Sequence, residues 1–236
     1  DVLQAHLTAI SAHLDPVVIR RTLAEAVAGK TAGRASVKAL IVHATDPAIE
    51  LVLLDGAGDR ALCAGGDVVA LYDSRVSGSG LVRKFWREEY YLNALILRYP
   101  KPYVAIQDGI VMGGGIGLSS HGRHRIVTER SMLAMPETGI GLIPDVGGTW
   151  LLAHAQGELG TYLALTGARM TGSDAIQAGL SGSFVPSNRL DALKARLIAT
   201  GDERVDDIIE DFEEPIPIST LAVERAKINR WFGFDT

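Results

Sequence analysis

Short apolar runs alternate with helical patterns along this chain, and this alternation limits its possible folds more than any other feature. Residues 49–54 and 103–107 are nearly continuous apolar runs, as expected of strands that are buried on both faces. Between them, residues 82–97 carry apolar side chains at helical spacing, and Pro100 and Pro102 end that pattern. The succession of strand, helix and strand predicts an α/β fold.

The same patterns predict the remaining elements and an outline of the domains. Further strands are predicted at residues 126–127 and 133–134, and further helices at residues 150–155, 159–166, 173–178, 190–198 and 221–232. An amphipathic helix is predicted at residues 16–27, although no function follows from the first residues of the chain. We therefore divide the chain into an N-terminal segment, 1–46, a core, 47–186, and a C-terminal helical region, 187–236.

Charge and composition exclude several classes of function. With 23 Lys and Arg against 28 Asp and Glu, the formal net charge is −5, whereas a nucleic-acid partner requires a basic surface. No apolar run approaches the ~18 residues of a membrane helix, and no signal peptide is visible. The single Cys63 favours a reducing compartment, and we predict that it is a small packed residue because no base stands near it. Neither nucleic acid nor a membrane is predicted as a partner.

Two carboxylates lie in a segment that is otherwise apolar and rich in glycine. Glu137 and Asp145 both belong to residues 135–148. An ionised carboxylate in apolar surroundings is unfavourable unless it is paired, hydrogen-bonded or used chemically. The segment therefore predicts an active site in which one carboxylate acts as a base or a nucleophile.

Two glycine-rich turns contain candidate donors for a developing negative charge. They occupy residues 62–67 and 109–118, each after a predicted strand. Glycine allows the main chain to approach a ligand and to direct its N–H groups at it, and a helix that begins in the second turn would add a favourable dipole. Two such N–H groups can hold one carbonyl oxygen. Tight turns and close helix packing explain the same glycines equally well, so the pattern alone leaves both interpretations open.

Sequence motifs of other enzyme classes do not fit. Residues 113–117 lack the third glycine of the dinucleotide fingerprint, no segment matches the P-loop, and Ser181 lacks the second glycine of a nucleophile elbow. His121 and His124 have a spacing that occurs in metal sites, but no cysteine or acidic partner stands beside them. We predict that both histidines are structural or exposed, and we predict no metal site.

Several of these side chains have a structural alternative. Glu137 can begin a helix, Asp145 can cap the helix that follows it, and Glu89 can lie on a solvated helix face. We favour catalysis for Glu137 and for Asp145, where capping and catalysis are compatible, and a functional role for Glu89. Trp86 and Tyr90 are predicted to belong to the core.

Five segments of the chain carry a family resemblance. They are CAGGD at 63–67, REEY at 87–90, KPYVA at 101–105, MGGGIGL at 112–118 and MPETGIG at 135–141. Together they resemble the crotonase (enoyl-CoA hydratase/isomerase) superfamily and, within it, the 3-hydroxyisobutyryl-CoA hydrolase branch. The resemblance extends over residues 47–232. It implies a spiral of ββα units with a C-terminal helical region, assembled as trimers or hexamers.

The resemblance also implies roles for individual residues. Hydratases of the superfamily use two glutamates, but the first of these positions is Gly117 here, which leaves Glu137 alone. The hydrolase branch instead pairs the second glutamate with an aspartate. Its implied site comprises catalytic Glu137 and Asp145, substrate-binding Glu89, and an oxyanion hole formed by Gly66 and Gly114.

Three functions follow from this resemblance. The leading hypothesis is hydrolysis of a short branched hydroxyacyl-CoA thioester to the free acid and CoA. The alternatives are an enoyl-CoA hydratase or isomerase, and a non-catalytic member that binds CoA or a protein partner. The resemblance implies CoA as part of the substrate, no separate cofactor, a homo-oligomer, and a location in the cytoplasm, or in the mitochondrial matrix of a eukaryote.

Overall fold

Two four-stranded sheets organise the part of the chain that the computed structural model describes, residues 46–56, 60–201 and 204–233. The strands in chain order are β1 Val52–Leu54, β2 Ala61–Cys63, β3 Tyr103–Gln107, β4 Ile110–Met112, β5 His124–Val127, β6 Met132–Ala134, β7 Met170–Thr171 and β8 Ser183–Phe184. The first sheet has the order β1-β3-β5-β8 and is parallel throughout. The second has the order β2-β4-β6-β7, and β7 runs antiparallel to β6. From β1 to β6, successive strands alternate between the two sheets, which produces ββα units.

Helices follow the strand pairs. They are α1 Val68–Ser77, α2 Leu81–Leu97, α3 Gly114–Ser119, α4 Gly148–Ala153, α5 Leu159–Thr166, α6 Gly172–Gln177, α7 Leu190–Thr200, α8 Val205–Glu210 and α9 Thr220–Phe232, with short 3-10 helices at Glu137–Ile140 and Ser187–Arg189. The α/β prediction is confirmed, while the helix predicted at 16–27 lies outside the described residues. None of the helices in the described ranges is long and apolar enough to cross a bilayer.

The first sheet is buried on both faces, which explains the continuous apolar runs of the sequence. On one face, Leu53, Val104 and Ile106 pack in a cluster with apolar side chains of α7 and α8. On the other face, Leu54 and Ala105 join a second cluster that includes strands of the second sheet. Because side chains alternate along a strand, a strand that is covered on both faces favours apolar residues at successive positions.

The turn from the first sheet into the second contains strands that the sequence did not predict. Residues 109–118 were expected to pass directly into a helix, but β4 intervenes and pairs with β2 and β6. At Gly109 the backbone has a φ of +71°, and a Cβ atom would lie 2.5 Å from the carbonyl oxygen of Arg60. That position requires glycine. Strands of three residues are too short to show a hydrophobic period, so the sequence pattern does not indicate β2 or β4.

A buried carboxylate attaches the C-terminal helix to the core. Asp174, on α6, accepts hydrogen bonds from Ser219 Oγ at 2.7 Å and from the N–H of Leu221 at 3.0 Å. Burial acts to raise the pKa of Asp174, but these bonds and those from Thr171 outweigh it and hold the pKa below its usual value. Helix α9 packs against α5 and α6. The division of the chain at residues 186 and 187 stays a prediction.

Candidate active site

The two glycine-rich turns meet at the carboxyl ends of β2 and β4. These strands are parallel neighbours, so their carboxyl ends lie at the same edge of the second sheet. A Cβ atom at Gly114 would lie 3.5 Å from the backbone nitrogen of Gly66 and 3.6 Å from the carbonyl carbon of Gly65. Gly114 begins α3, where the first N–H groups have no partner within the helix. The structure therefore brings the two predicted donors together.

Glu137 lies at the same edge, one strand further along. It follows β6, the parallel neighbour of β4, and begins a 3-10 helix, so it does occupy a helix start. The residue is only 7% exposed, and a Cβ atom at Gly113 would lie 3.3 Å from Glu137 Oε1. Both carboxylate oxygens are buried and accept no hydrogen bond of normal geometry from the described residues. Glu137 is thus a desolvated carboxylate that faces the glycine turns.

Glu89 approaches these turns from α2. A Cβ atom at Gly114 would lie 3.6 Å from Glu89 Oε1, and the Glu89 side chain is partly buried. The neighbouring Glu88 instead lies on the solvent side, 4.0 Å from Lys84. The solvated-face alternative therefore describes Glu88 and is wrong for Glu89.

Glu89, Glu137 and Asp145 form a carboxylate cluster, and burial is the main reason that the pKa values of Glu89 and Glu137 are raised. Burial raises the pKa of Glu89 to about 7, and the charges of Asp145 and Glu137 act in the same direction. Burial also raises the pKa of Glu137; the N–H groups of Glu137 and Asp145 oppose part of that effect, whereas the charge of Asp145 adds to it. Glu89 therefore exchanges its proton near neutral pH, as groups that take part in acid–base chemistry often do.

Asp145 completes this carboxylate cluster from an irregular loop. The loop joins the 3-10 helix to α4, and the hydroxyl of Tyr90 donates a hydrogen bond to Asp145 Oδ1. The predicted capping role is wrong, because the residue before α4 is Gly147 and no side chain caps that helix. The Asp145 side chain turns instead towards α2, where Glu89 lies.

Tyr90 and Trp86 were predicted to be core residues, and this prediction is wrong. Tyr90 is 47% exposed and Trp86 is 37% exposed. The buried residues of α2 are Leu92, Asn93 and Ile96. Glu89 lies three residues before Leu92 and therefore shares its face, whereas Tyr90 is turned towards the side of that face. The sequence contains a signal for this: in a helical projection centred on Leu92 and Ile96, Tyr90 lies away from the core face.

No space for a second glutamate is present at Gly117. A Cβ atom there would lie 2.6 Å from Val146 Cβ and 3.1 Å from Asn93 Oδ1. Any side chain at this position would require Val146 to move. Packing of α3 against the loop that carries Asp145 is thus incompatible with the two-glutamate arrangement of a hydratase.

The remaining polar candidates have structural roles. His121 is buried, and its Nε2–H donates to the carbonyl oxygen of Val146 at 2.7 Å, while burial lowers the pKa of His121. His124 is also buried, with Nδ1 at 3.3 Å from Asp206. Among the described residues, no group of three or more His, Cys, Asp and Glu side chains is arranged to bind a metal ion. Cys63 is buried, and burial raises the pKa of its thiol.

Comparison with known proteins places this geometry in a family context. The enoyl-CoA hydratase/isomerase family model matches residues 33–236. The mitochondrial 3-hydroxyisobutyryl-CoA hydrolase of Rattus norvegicus is 50% identical over 199 residues, which are 81% of this chain and 52% of the relative. The Homo sapiens protein of the same name is 41% identical over the same shares. The chain thus spans about half the length of these curated relatives.

Solved structures share the fold. A carnitinyl-CoA dehydratase from Mycobacterium thermoresistibile superposes with a TM-score of 0.80 at 49% identity, over 84% of this chain and 58% of that one. An enoyl-CoA hydratase from Rhodobacter sphaeroides 2.4.1 superposes with a TM-score of 0.81 at 42% identity, over 91% of this chain and 63% of that one. The expected crotonase fold is confirmed by these superpositions.

Proposed function

Because this chain belongs to the enoyl-CoA hydratase/isomerase family, we propose that it forms the catalytic part of an acyl-CoA thioester hydrolase. The substrate is a short branched hydroxyacyl-CoA such as 3-hydroxyisobutyryl-CoA, and the products are the free acid and CoA. The observation that carries this proposal is the buried carboxylate of Glu137 beside the glycine turns, which has no hydrogen-bond partner of normal geometry among the described residues. The names of the Rattus and Homo relatives agree with it.

The two backbone donors provide the electrostatic part of the mechanism. The thioester carbonyl oxygen accepts hydrogen bonds from the N–H groups of Gly66 and Gly114. When a nucleophile adds to the carbonyl carbon, the negative charge develops on this oxygen, and donors that are already in place stabilise it. Each such donor contributes roughly 3 kcal/mol to transition-state stabilisation.

Glu137 supplies the nucleophile by one of two routes. In the first, its carboxylate attacks the carbonyl carbon, the C–S bond breaks as CoA thiolate leaves, and water then hydrolyses the mixed anhydride and regenerates Glu137. In the second, Glu137 takes a proton from water, the resulting hydroxide attacks, and the proton passes to the departing thiolate. Asp145 and Glu89 orient the substrate hydroxyl or the water. No cofactor beyond the CoA of the substrate enters either route.

Substitution of the reactive carboxylate tests the proposal. Glu137→Gln should lower thiol release from 3-hydroxyisobutyryl-CoA at least about 1,000-fold, because an amide neither attacks nor accepts the proton. Acyl-CoA binding, measured by calorimetry, should persist. Glu88→Gln serves as the control because its side chain lies on the solvent side of α2. Wild-type thiol release from the Glu137 variant would contradict the assignment.

Hydration or isomerisation is the second candidate, favoured by the dehydratase and hydratase names of the two similar structures. The absence of space at Gly117 argues against it. One assay with both a hydroxyacyl-CoA and an enoyl-CoA separates the functions. Thiol release supports hydrolysis, a change in enoyl absorbance without thiol release supports hydration or isomerisation, and neither signal supports a binding role.

Assembly and location are also proposals. We infer a homo-oligomer, a trimer or a hexamer, which light scattering coupled to gel filtration would measure. The curated relatives are named as mitochondrial. For this chain we propose the cytoplasm or, in a eukaryote, the mitochondrial matrix, which localisation of a tagged full-length protein would check.

A further inference from the structure

The loop that carries Asp145 needs to be held in place by other parts of the molecule. Asp145 belongs to neither a helix nor a strand. The next residue, Val146, has a φ of +52°, which a β-branched residue rarely adopts, and Gly147 has a φ of +75°. Such a backbone persists only where its surroundings restrain it.

Two side chains restrain this loop from different elements. His121 donates from Nε2 to the carbonyl oxygen of Val146 at 2.7 Å, which fixes the backbone beside α4. Tyr90 donates its hydroxyl proton to Asp145 Oδ1, and the N–H of Gly147 lies against the same hydroxyl oxygen. Tyr90 therefore contacts both the carboxylate and the backbone of the loop.

The position of Tyr90 on α2 relates this restraint to the rest of the site. Helix α2 is 17 residues long and is anchored by buried Leu92 and Ile96. Tyr90 directly follows Glu89, so one rigid turn of α2 carries both a carboxylate of the site and the hydroxyl that holds Asp145. Among the described residues, Tyr90 provides the side-chain hydrogen bond to Asp145, and it uses Oδ1 only. The second oxygen, Oδ2, is left to meet a substrate hydroxyl or a water.

We propose that Tyr90 is a positioning residue, which holds the Asp145 carboxylate in a fixed relation to Glu89 and Glu137 while the thioester reacts. This inference rests on the proposed hydrolase function. A phenol suits the task because its ring spans the space between α2 and the loop while its hydroxyl donates a single directed hydrogen bond. A carboxylate held in this way needs no reorientation in the transition state.

Kinetics of matched tyrosine variants test the proposal. Tyr90→Phe removes the hydroxyl and keeps the ring, and it should lower kcat roughly 10- to 100-fold while KM for the acyl-CoA changes less than about threefold. Tyr91→Phe is the control, because Tyr91 is 57% exposed on the same helix and has no hydrogen bond to other described residues. Both variants should keep the wild-type melting temperature. Equal kcat values for the two variants would overturn the proposal.

A double-mutant cycle separates positioning from a merely structural role. If Tyr90 acts through Asp145, Tyr90→Phe should cause no further loss of kcat in an Asp145→Asn background. A structural role would produce the same fractional loss in both backgrounds. Multiplicative losses would therefore overturn the proposal.

Hydrogen exchange supplies a readout that does not depend on activity. Amides of residues 141–148 should exchange faster in Tyr90→Phe than in wild type, and at the wild-type rate in Tyr91→Phe. If the wild type released no thiol, the hydrolase proposal would fail, and this measurement would still show whether Tyr90 restrains the loop. Unchanged exchange in Tyr90→Phe would overturn the inference whatever the activity.

Discussion

The two sheets are built by the same repeated units, but they use their residues for different purposes. In the first sheet, Val104, Ile106 and Val127 are 0% exposed and lie in apolar clusters on its two faces. At the carboxyl edge of the second sheet, glycine turns lie beside Glu137, whose carboxylate is buried and has no hydrogen-bond partner of normal geometry among the described residues. The first sheet contributes stability, whereas desolvation of the Glu137 carboxylate at this edge lowers stability.

The largest expected effect is on the stability of the first sheet. Ile106→Ala should lower the free energy of unfolding by about 4 kcal/mol, because it leaves a cavity where both the strand and the neighbouring helices are closely packed. Urea denaturation measures the change. The control, Ile218→Ala, affects a residue that is 89% exposed and should change the free energy by less than about 0.5 kcal/mol. Equal losses of stability in the two variants would contradict the close packing of Ile106 in the first sheet.

The next effect is on activity at the edge of the second sheet. Gly114→Ala places a methyl group 3.5 Å from the nitrogen of Gly66, an ordinary contact that permits folding. In the proposed site, this methyl group takes the space of the thioester carbonyl oxygen. Thiol release should fall by roughly 100-fold, about 3 kcal/mol of transition-state stabilisation, while the melting temperature stays unchanged. At Gly139 a Cβ atom meets nothing within 4 Å, so Gly139→Ala should retain wild-type activity.

A substitution elsewhere on α3 should lower stability, whereas Gly114→Ala should lower activity and leave stability unchanged. Gly117→Ala places its methyl group 2.6 Å from Val146 Cβ, so overpacking should lower the free energy of unfolding by about 2 kcal/mol. Denaturation would detect this loss. Stability equal to that of Gly114→Ala would show that the α3 contact with the Asp145 loop is looser than described.

The smallest effect concerns pH. The folded-state pKa of Glu89 is raised to about 7, so its contribution to stability is fully present below its unfolded pKa and is lost as pH rises through the folded value. Glu89→Gln removes the ionisable group and with it this pH-dependent loss of stability. Relative to wild type, the variant should gain on the order of 1 kcal/mol between pH 5 and pH 8 after allowance for solvent screening. Glu88→Gln should follow the wild type, and a parallel shift in both variants would contradict the assignment.

The same contrast explains what the sequence could predict. Strand β3 was predicted at its observed bounds, because burial on both faces favours a continuous apolar run, here residues 103–106. The pattern does not indicate β2 or β4, because a strand of three residues is too short to show a hydrophobic period. The local pattern therefore predicted the first sheet except for β8, but only β6 of the second sheet.

Within the site, the residues were easier to predict than their partners. Glu137, Asp145 and the glycine turns stand out because polar groups in an apolar segment need an explanation. The hydrogen bond from Tyr90 to Asp145 spans 55 residues of sequence, and no local pattern records it. The alternative of a capping role for Asp145 is wrong for the same reason, since a loop held by distant side chains resembles a helix start when only its sequence neighbours are considered.

The strand order also has a consequence for synthesis on the ribosome. Val52 in β1 pairs with Tyr103 in β3, and Ile126 in β5 pairs with Ser183 in β8. A nascent chain thus exposes the apolar β1 until β3 has emerged, and the edge of β5 until β8 follows. Non-local pairings of this kind slow folding and leave strands open to aggregation. A ribosome-bound fragment that stops before residue 145 contains both glycine turns, Glu89 and Glu137 but lacks Asp145.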